Sequence, residues 1–92
     1  MTVTRITEYQ TKEGGGNQFK ALLTSLLPIV TFANGNQSYK ILQNVDNPTR
    51  IIVVEVWASK EAHQEAAKKT PVDVLEQSRK LLVKRPTGEY YQ

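Results

Sequence analysis

The chain has 92 residues and a net charge of +3, with no cysteine and a single histidine. Disulfides, thiol nucleophiles, iron–sulfur clusters and cysteine-type zinc sites are therefore excluded, and one histidine cannot form a histidine-cluster metal site within a chain. A domain of this size buries roughly two thirds of its unfolded surface, so the core is thin and a second copy is a natural cover for an exposed face.

Val3 to Gln10 reads as a strand. Val3, Arg5, Thr7 and Tyr9 share one face, and Thr4, Ile6 and Glu8 the other. Gly14-Gly15-Gly16 ends it, because three glycines are too costly inside a strand. A helix capped near Gly16 or Asn17 follows, with Phe19, Leu22, Leu23, Leu26, Val30 and Ala33 on one stripe. Pro28 lacks an N–H and crowds the carbonyl of Thr24, which predicts a kink or a restart. Asn34-Gly35 ends the helix, Gly35 being suited to a left-handed cap.

Ser38 to Val45 is predicted as the second strand and Arg50 to Trp57 as the third, joined by the turn Asp46-Asn47-Pro48-Thr49. So short a connection makes an antiparallel hairpin. Ile51-Ile52-Val53-Val54 is apolar on both faces, so the third strand is placed centrally. Ser59 caps a helix running to about Lys69, and Thr70 and Pro71 are expected to open another as N-cap and first helical residue. Val74, Leu75, Ser78, Leu81 and Leu82 line one side of it. Val83 to Tyr91 is the last predicted strand, with Pro86 pointing to an edge or a bulge.

The order is β-α-β-β-α-β over a single domain, residues 1–92. The fold class expected is α+β: a ferredoxin-like sandwich with an antiparallel sheet and helices on one face. The second face of the central strand is left for another subunit, so a homodimer is expected. Met1-Thr2-Val3-Thr4-Arg5 has no long apolar stretch behind it, and the segment from Ala21 to Phe32 falls short of the about 20 apolar residues a membrane span needs. No membrane role and a cytoplasmic location are expected. The pI of about 9.3 is only mildly basic. Arg79-Lys80 and Lys84-Arg85 form the one local concentration of positive charge, without interleaved aromatics, so no nucleic-acid partner is expected.

Asp46-Asn47-Pro48-Thr49-Arg50, followed by Glu55-Val56-Trp57-Ala58-Ser59-Lys60-Glu61-Ala62, resembles the core signature of the antibiotic biosynthesis monooxygenase family. That signature is an Asn-Pro turn, an apolar strand ending Glu-x-Trp, and Ser-x-x-Ala opening a helix. The resemblance implies a dimeric α/β barrel with a pocket between sheet and helices in each subunit. Members of that family include cofactor-independent oxygenases of aromatic polyketides, haem-degrading enzymes and an isomerase-like branch. This chain departs from the pattern in having Ala66 and Ala67 where the family often carries histidine. It also has Thr7 where the haem-degrading branch places an asparagine, which argues against haem degradation.

Glu55 and Trp57 lie two apart and share a strand face. Trp57 is either a stacking wall for a flat substrate or a core residue. Glu55 is either a base whose pKa an aromatic wall raises, or one half of an ion pair across the sheet or dimer, for example with an arginine, and the weight falls on the pair. His63, early in a polar helix, is ordinarily an exposed surface histidine; its functional reading is proton transfer at a pocket mouth. Tyr9, Tyr39, Tyr90 and Tyr91 could hold a quinol or enolate oxygen, though strand tyrosines more often pack. Thr7 and Asn44 are weaker polar candidates. Gly14-Gly15-Gly16 lacks the Lys-Ser/Thr of a phosphate-binding loop and the fixed glycine spacing of a dinucleotide site, and is taken as an ordinary loop.

The expected function is a monooxygenase acting on a small aromatic or enolisable molecule with no cofactor. Glu55 and His63 are the catalytic candidates, and Trp57, Thr7, Tyr39 and Asn44 the substrate-binding ones. The alternatives are a dimeric, non-catalytic small-ligand-binding module, or an isomerase-like enzyme of the same superfamily.

Overall fold

The computed structural model describes residues 2–92. Its elements are β1 (Val3–Gln10), α1 (Gly16–Thr24), α2 (Leu27–Thr31), β2 (Asn36–Gln43), β3 (Arg50–Trp57), α3 (Lys60–Ala67), α4 (Val72–Leu81) and β4 (Thr87–Tyr91). The strands form one antiparallel sheet in the order β2-β3-β1-β4. This is the α+β, ferredoxin-like architecture expected, with each crossover helix broken in two.

Strand alternation sorts the sheet into two faces. Ile51, Val53, Glu55 and Trp57 of β3 are buried, while Ile52, Val54 and Val56 between them are only partly covered. In register beside the buried set stand Arg5, Thr7 and Tyr9 on β1 and Tyr39 and Ile41 on β2. The helices cover this face. Phe19 and Leu23 of α1 and Leu81 of α4 close a core with Ile51 and Val53.

The break in the first helix falls where Pro28 requires it. Pro28 sits in the first turn of α2, where a missing N–H costs nothing. Only the first half of the predicted apolar stripe enters the core; Leu26 and Val30 face a cavity instead. Gly35, at φ 91°, turns the chain into β2.

Three elements differ from expectation in where they begin or end. β2 begins and ends two residues earlier, because the Asn44 side-chain oxygen accepts from the backbone N–H groups of Asp46 and Asn47 at 2.9 and 2.8 Å and starts the turn there. Thr70 does not cap α4: its hydroxyl donates to the Ala67 carbonyl at 2.9 Å, closing α3, and Pro71 takes the capping position. β4 starts at Thr87, not Val83. The Val83 N–H donates to the Gln10 carbonyl at 3.0 Å, and proline at 86 has no N–H to extend the ladder.

The N-terminus of α1 presses on the β2–β3 turn. A Cβ at Gly16 would lie 2.0 Å from the Pro48 carbonyl oxygen, a backbone atom that cannot swing away. The Gly16→Ala variant is expected to lose about 1–3 kcal/mol, or roughly 4–8 °C of Tm per kcal/mol, measured by thermal unfolding. Wild-type stability would show that the turn and helix separate freely.

Candidate active site

Between the helices and the sheet lies a cavity of about 230 Å³. Its floor is Tyr9, Tyr39, Glu55 and Trp57; its roof includes Leu26, Val30, Val74 and Leu75; His63 and Ala66 stand at its side. The sheet positions the polar floor by register alone, since Glu55 lies opposite Tyr39 on β2 and Arg5 on β1.

Glu55 is 7% exposed. Its Oε1 accepts from Trp57 Nε1 at 3.2 Å, and its Oε2 lies 3.8 Å from His63 Nε2. Burial pushes its carboxyl up from 4.5 to about 6, against the opposing pull of the Trp57 hydrogen bond and the Arg5 charge. The cross-sheet ion pair with an arginine is not formed: Arg5 is in register, but among the described residues Glu55 has only His63 within ion-pair distance. The guanidinium instead stacks over the Tyr90 ring, 4.7 Å from its centroid, in space that Gly88 leaves empty. A Cβ on Gly88 would come within 2.2 Å of Arg5 Nη2. Arg5 Nε is buried without a hydrogen-bond partner.

His63 is not the exposed surface residue that its polar helix suggests. Its side chain is 15% exposed. The ring meets Trp57 edge-on at 5.6 Å, and Nδ1 lies 2.6 Å from the Tyr90 hydroxyl. Burial, then the Arg5 charge, lowers its pKa from 6.5, so the imidazole is neutral at pH 7. Burial, then the Glu55 charge, raises the phenol pKa of both floor tyrosines, that of Tyr9 to about 12. They stay protonated and can donate.

The structure therefore brings together Glu55, Trp57, His63 and Tyr39. Thr7 is buried on the same sheet face between Val53 and Gly88, but is not part of the cavity wall. Asn44 lies away from it, in the β2–β3 turn, with its side-chain oxygen occupied by the backbone. Tyr9 joins the floor, and Tyr90 and Arg5 back the histidine. Tyr9 and Arg5 share the face of Thr7 by simple alternation, so strand period was the available signal for them. Tyr90 is brought in by the β1–β4 pairing, where it stands opposite Arg5. No cluster of three or more His, Asp or Glu side chains is placed to hold a metal among the described residues.

The shift on Glu55 links to stability with a definite sign. Between pH 4.5 and about 6 the folded chain holds a proton that the unfolded chain has released, so stability falls as pH rises through that window. The loss is about 2 kcal/mol at roughly 1.4 kcal/mol per unit. Glu55→Gln keeps an acceptor for Trp57 and removes the titration. Denaturant unfolding across that pH range is expected to show a flat profile in the variant and a gain of up to about 2 kcal/mol above pH 6. An unchanged slope would place the titrating group elsewhere.

The sequence profile of the antibiotic biosynthesis monooxygenase family matches residues 2–72. No curated protein matches the sequence. Among solved structures, a conserved protein from Methanosarcina mazei superposes with a TM-score of 0.88 at 17% identity, covering 100% of this chain and 92% of that one. Protein SO0527 from Shewanella oneidensis gives 0.86 at 23% identity, over 98% and 88%. SnoaB, a cofactor-independent oxygenase from Streptomyces nogalater, gives 0.84 at 14% identity, over 99% and 91%. At such identities these likenesses speak for the fold. The profile match runs from the first strand through the Glu-x-Trp strand and its helix to the start of α4, and on that match the chain belongs to the antibiotic biosynthesis monooxygenase family.

Proposed function

We propose that the protein is a cofactor-independent monooxygenase of a small aromatic or otherwise enolisable molecule, working as a homodimer in the cytoplasm. The observation that carries this reading is Glu55: a carboxylate with its pKa raised to about 6, set in an aromatic floor and fixed by Trp57 Nε1. A base tuned towards neutrality at the bottom of an apolar cavity is what proton abstraction from a weak carbon or phenolic acid requires. Membership of the family supports the oxygen chemistry.

In this mechanism the substrate lies against Trp57 and gives a proton to Glu55. The resulting anion passes one electron to dioxygen, and the two radicals combine as a carbon-bound peroxide anion. Loss of the remaining C–H proton and cleavage of the O–O bond leave a carbonyl, and the departing oxygen takes up two protons as water. A CH₂ group and O₂ thus become C=O and H₂O, so the substrate itself supplies the electrons. Neutral donors suit the anion. Tyr9 and Tyr39 offer hydroxyl groups from the cavity floor.

Oxygen uptake and product mass on anthrone-like and hydroquinone substrates test the reading. Uptake is expected to rise with pH through about 6 and then level off. In Glu55→Gln it should fall by about 10²–10⁴-fold, the usual share of a general base. Tight binding of these ligands without any uptake would favour the non-catalytic module, and product formation without uptake the isomerase-like reading.

The outer sheet face supports the dimer. Ile6, Ile52, Val54 and Val56 are only partly covered there, and Leu42 and Tyr91 are 51% and 49% exposed. Two such faces packed together bury an apolar layer that one chain leaves in water. Light scattering is expected to give a dimer for the wild type and a monomer for Val54→Asp. A monomeric wild type would remove the barrel.

A further inference from the structure

We infer that Tyr90 is a positioning residue that holds His63 in the tautomer protonated on Nε2, so that the ring turns an N–H, and not a lone pair, towards Glu55 and the cavity. A neutral imidazole has one donor nitrogen and one acceptor. Nδ1 lies 2.6 Å from the Tyr90 hydroxyl, and Nε2 lies 3.8 Å from Glu55 Oε2. With the proton on Nε2 both contacts are attractive: the phenol donates to Nδ1, and the N–H faces a carboxylate. With the proton on Nδ1, the Nε2 lone pair would face the carboxylate, and the half-buried phenol would have no acceptor among the described residues.

The phenol is itself held. Arg5 lies over its ring at 4.7 Å, and Lys60 Nζ is 5.3 Å from the ring centroid. His63 and Tyr90 meet edge to face at 5.4 Å. The charged and titratable groups around the imidazole are thus Arg5 from β1, Glu55 from β3, Tyr90 from β4 and Lys60 from its own helix. β4 lies beyond residues 2–72, so this support is separate from the stretch that the family profile matches.

On the oxygenase reading, on which this role rests, the Nε2–H is a neutral donor beside the oxygen of the substrate anion that Glu55 creates. Tyr90 acts only through His63. The imidazole also occupies the cavity side one helical turn before Ala66 and Ala67, which both line that cavity.

The test uses the fact that the chain has one histidine, which makes its ring nitrogens unambiguous in a ¹H–¹⁵N spectrum. Recorded on the ¹⁵N-labelled wild type above the Glu55 midpoint, Nε2 is expected to resonate as a protonated nitrogen and Nδ1 as a hydrogen-bonded acceptor. In Tyr90→Phe the Nδ1 resonance should move to that of an unbonded lone pair, and kcat for oxygen uptake should fall on the order of tenfold, a single hydrogen bond's worth, with KM unchanged. A protonated Nδ1 in the wild type, or an Nδ1 resonance unmoved by the variant, would overturn the assignment. The wild-type spectrum decides the tautomer even if the variant does not fold. Because the spectrum needs no substrate, absence of oxygen uptake would count against the oxygenase and leave the tautomer standing or falling by itself.

Discussion

A carboxylate on the buried side of a sheet is the constraint around which this structure is arranged. Glu55 occupies a position that the alternation of β3 assigns to the interior, between Val53 and Trp57. Burying an ionised carboxyl without a partner costs several kcal/mol, and an adjacent cation would remove most of that cost. Arg5 is delivered to the right register for this, yet its guanidinium is drawn onto the Tyr90 ring and into the space above Gly88. Glu55 is left with an indole N–H, and an imidazole at a distance too long for a strong bond. The cavity, the neutral histidine and the protonated phenols all lie within reach of that one unneutralised group.

Much of this arrangement was legible in the chain. β1 and β3 have their expected limits because both are rich in β-branched and aromatic residues and lie between clear turn residues. The helix restart was visible in Pro28, and the cap at Ser59, whose hydroxyl accepts from the Ala62 N–H at 3.1 Å, was visible in its residue type. The errors share a physical origin. Asn44, Thr70 and Val83 each carry a local propensity satisfied equally well in two ways, and the choice depends on where a distant or neighbouring carbonyl or N–H happens to lie. The same applies to the site. Pairing Glu55 with Trp57 needed only strand period, whereas the burial of His63 depends on Tyr90, 27 residues away in sequence on an edge strand.

The two faces of the sheet divide the labour. The helix-facing side holds the polar cluster and the cavity, and the outer side has an apolar centre, Ile6, Ile52, Val54 and Val56, flanked by Glu8, Lys40 and Glu89. A substitution on one face leaves the other's chemistry untouched in its first effects, because successive side chains project in opposite directions. The edge strand β4 is the exception: Tyr90 faces the histidine while Tyr91 lies on the outer face, so one short strand touches both.

The roof over the cavity is built differently from its floor. Neither α2, in the roof, nor α3, at the side, contains a buried residue, and each spans no more than eight residues. Helices this short derive little stability from their own hydrogen bonds and depend on packing that here is thin. Amide exchange in such segments proceeds by small, frequent openings, while a four-stranded sheet opens only with the whole domain. The side chains above the cavity are therefore held less firmly than those beneath it, and a guest packed between them would supply α2 and α3 with the apolar contacts they lack.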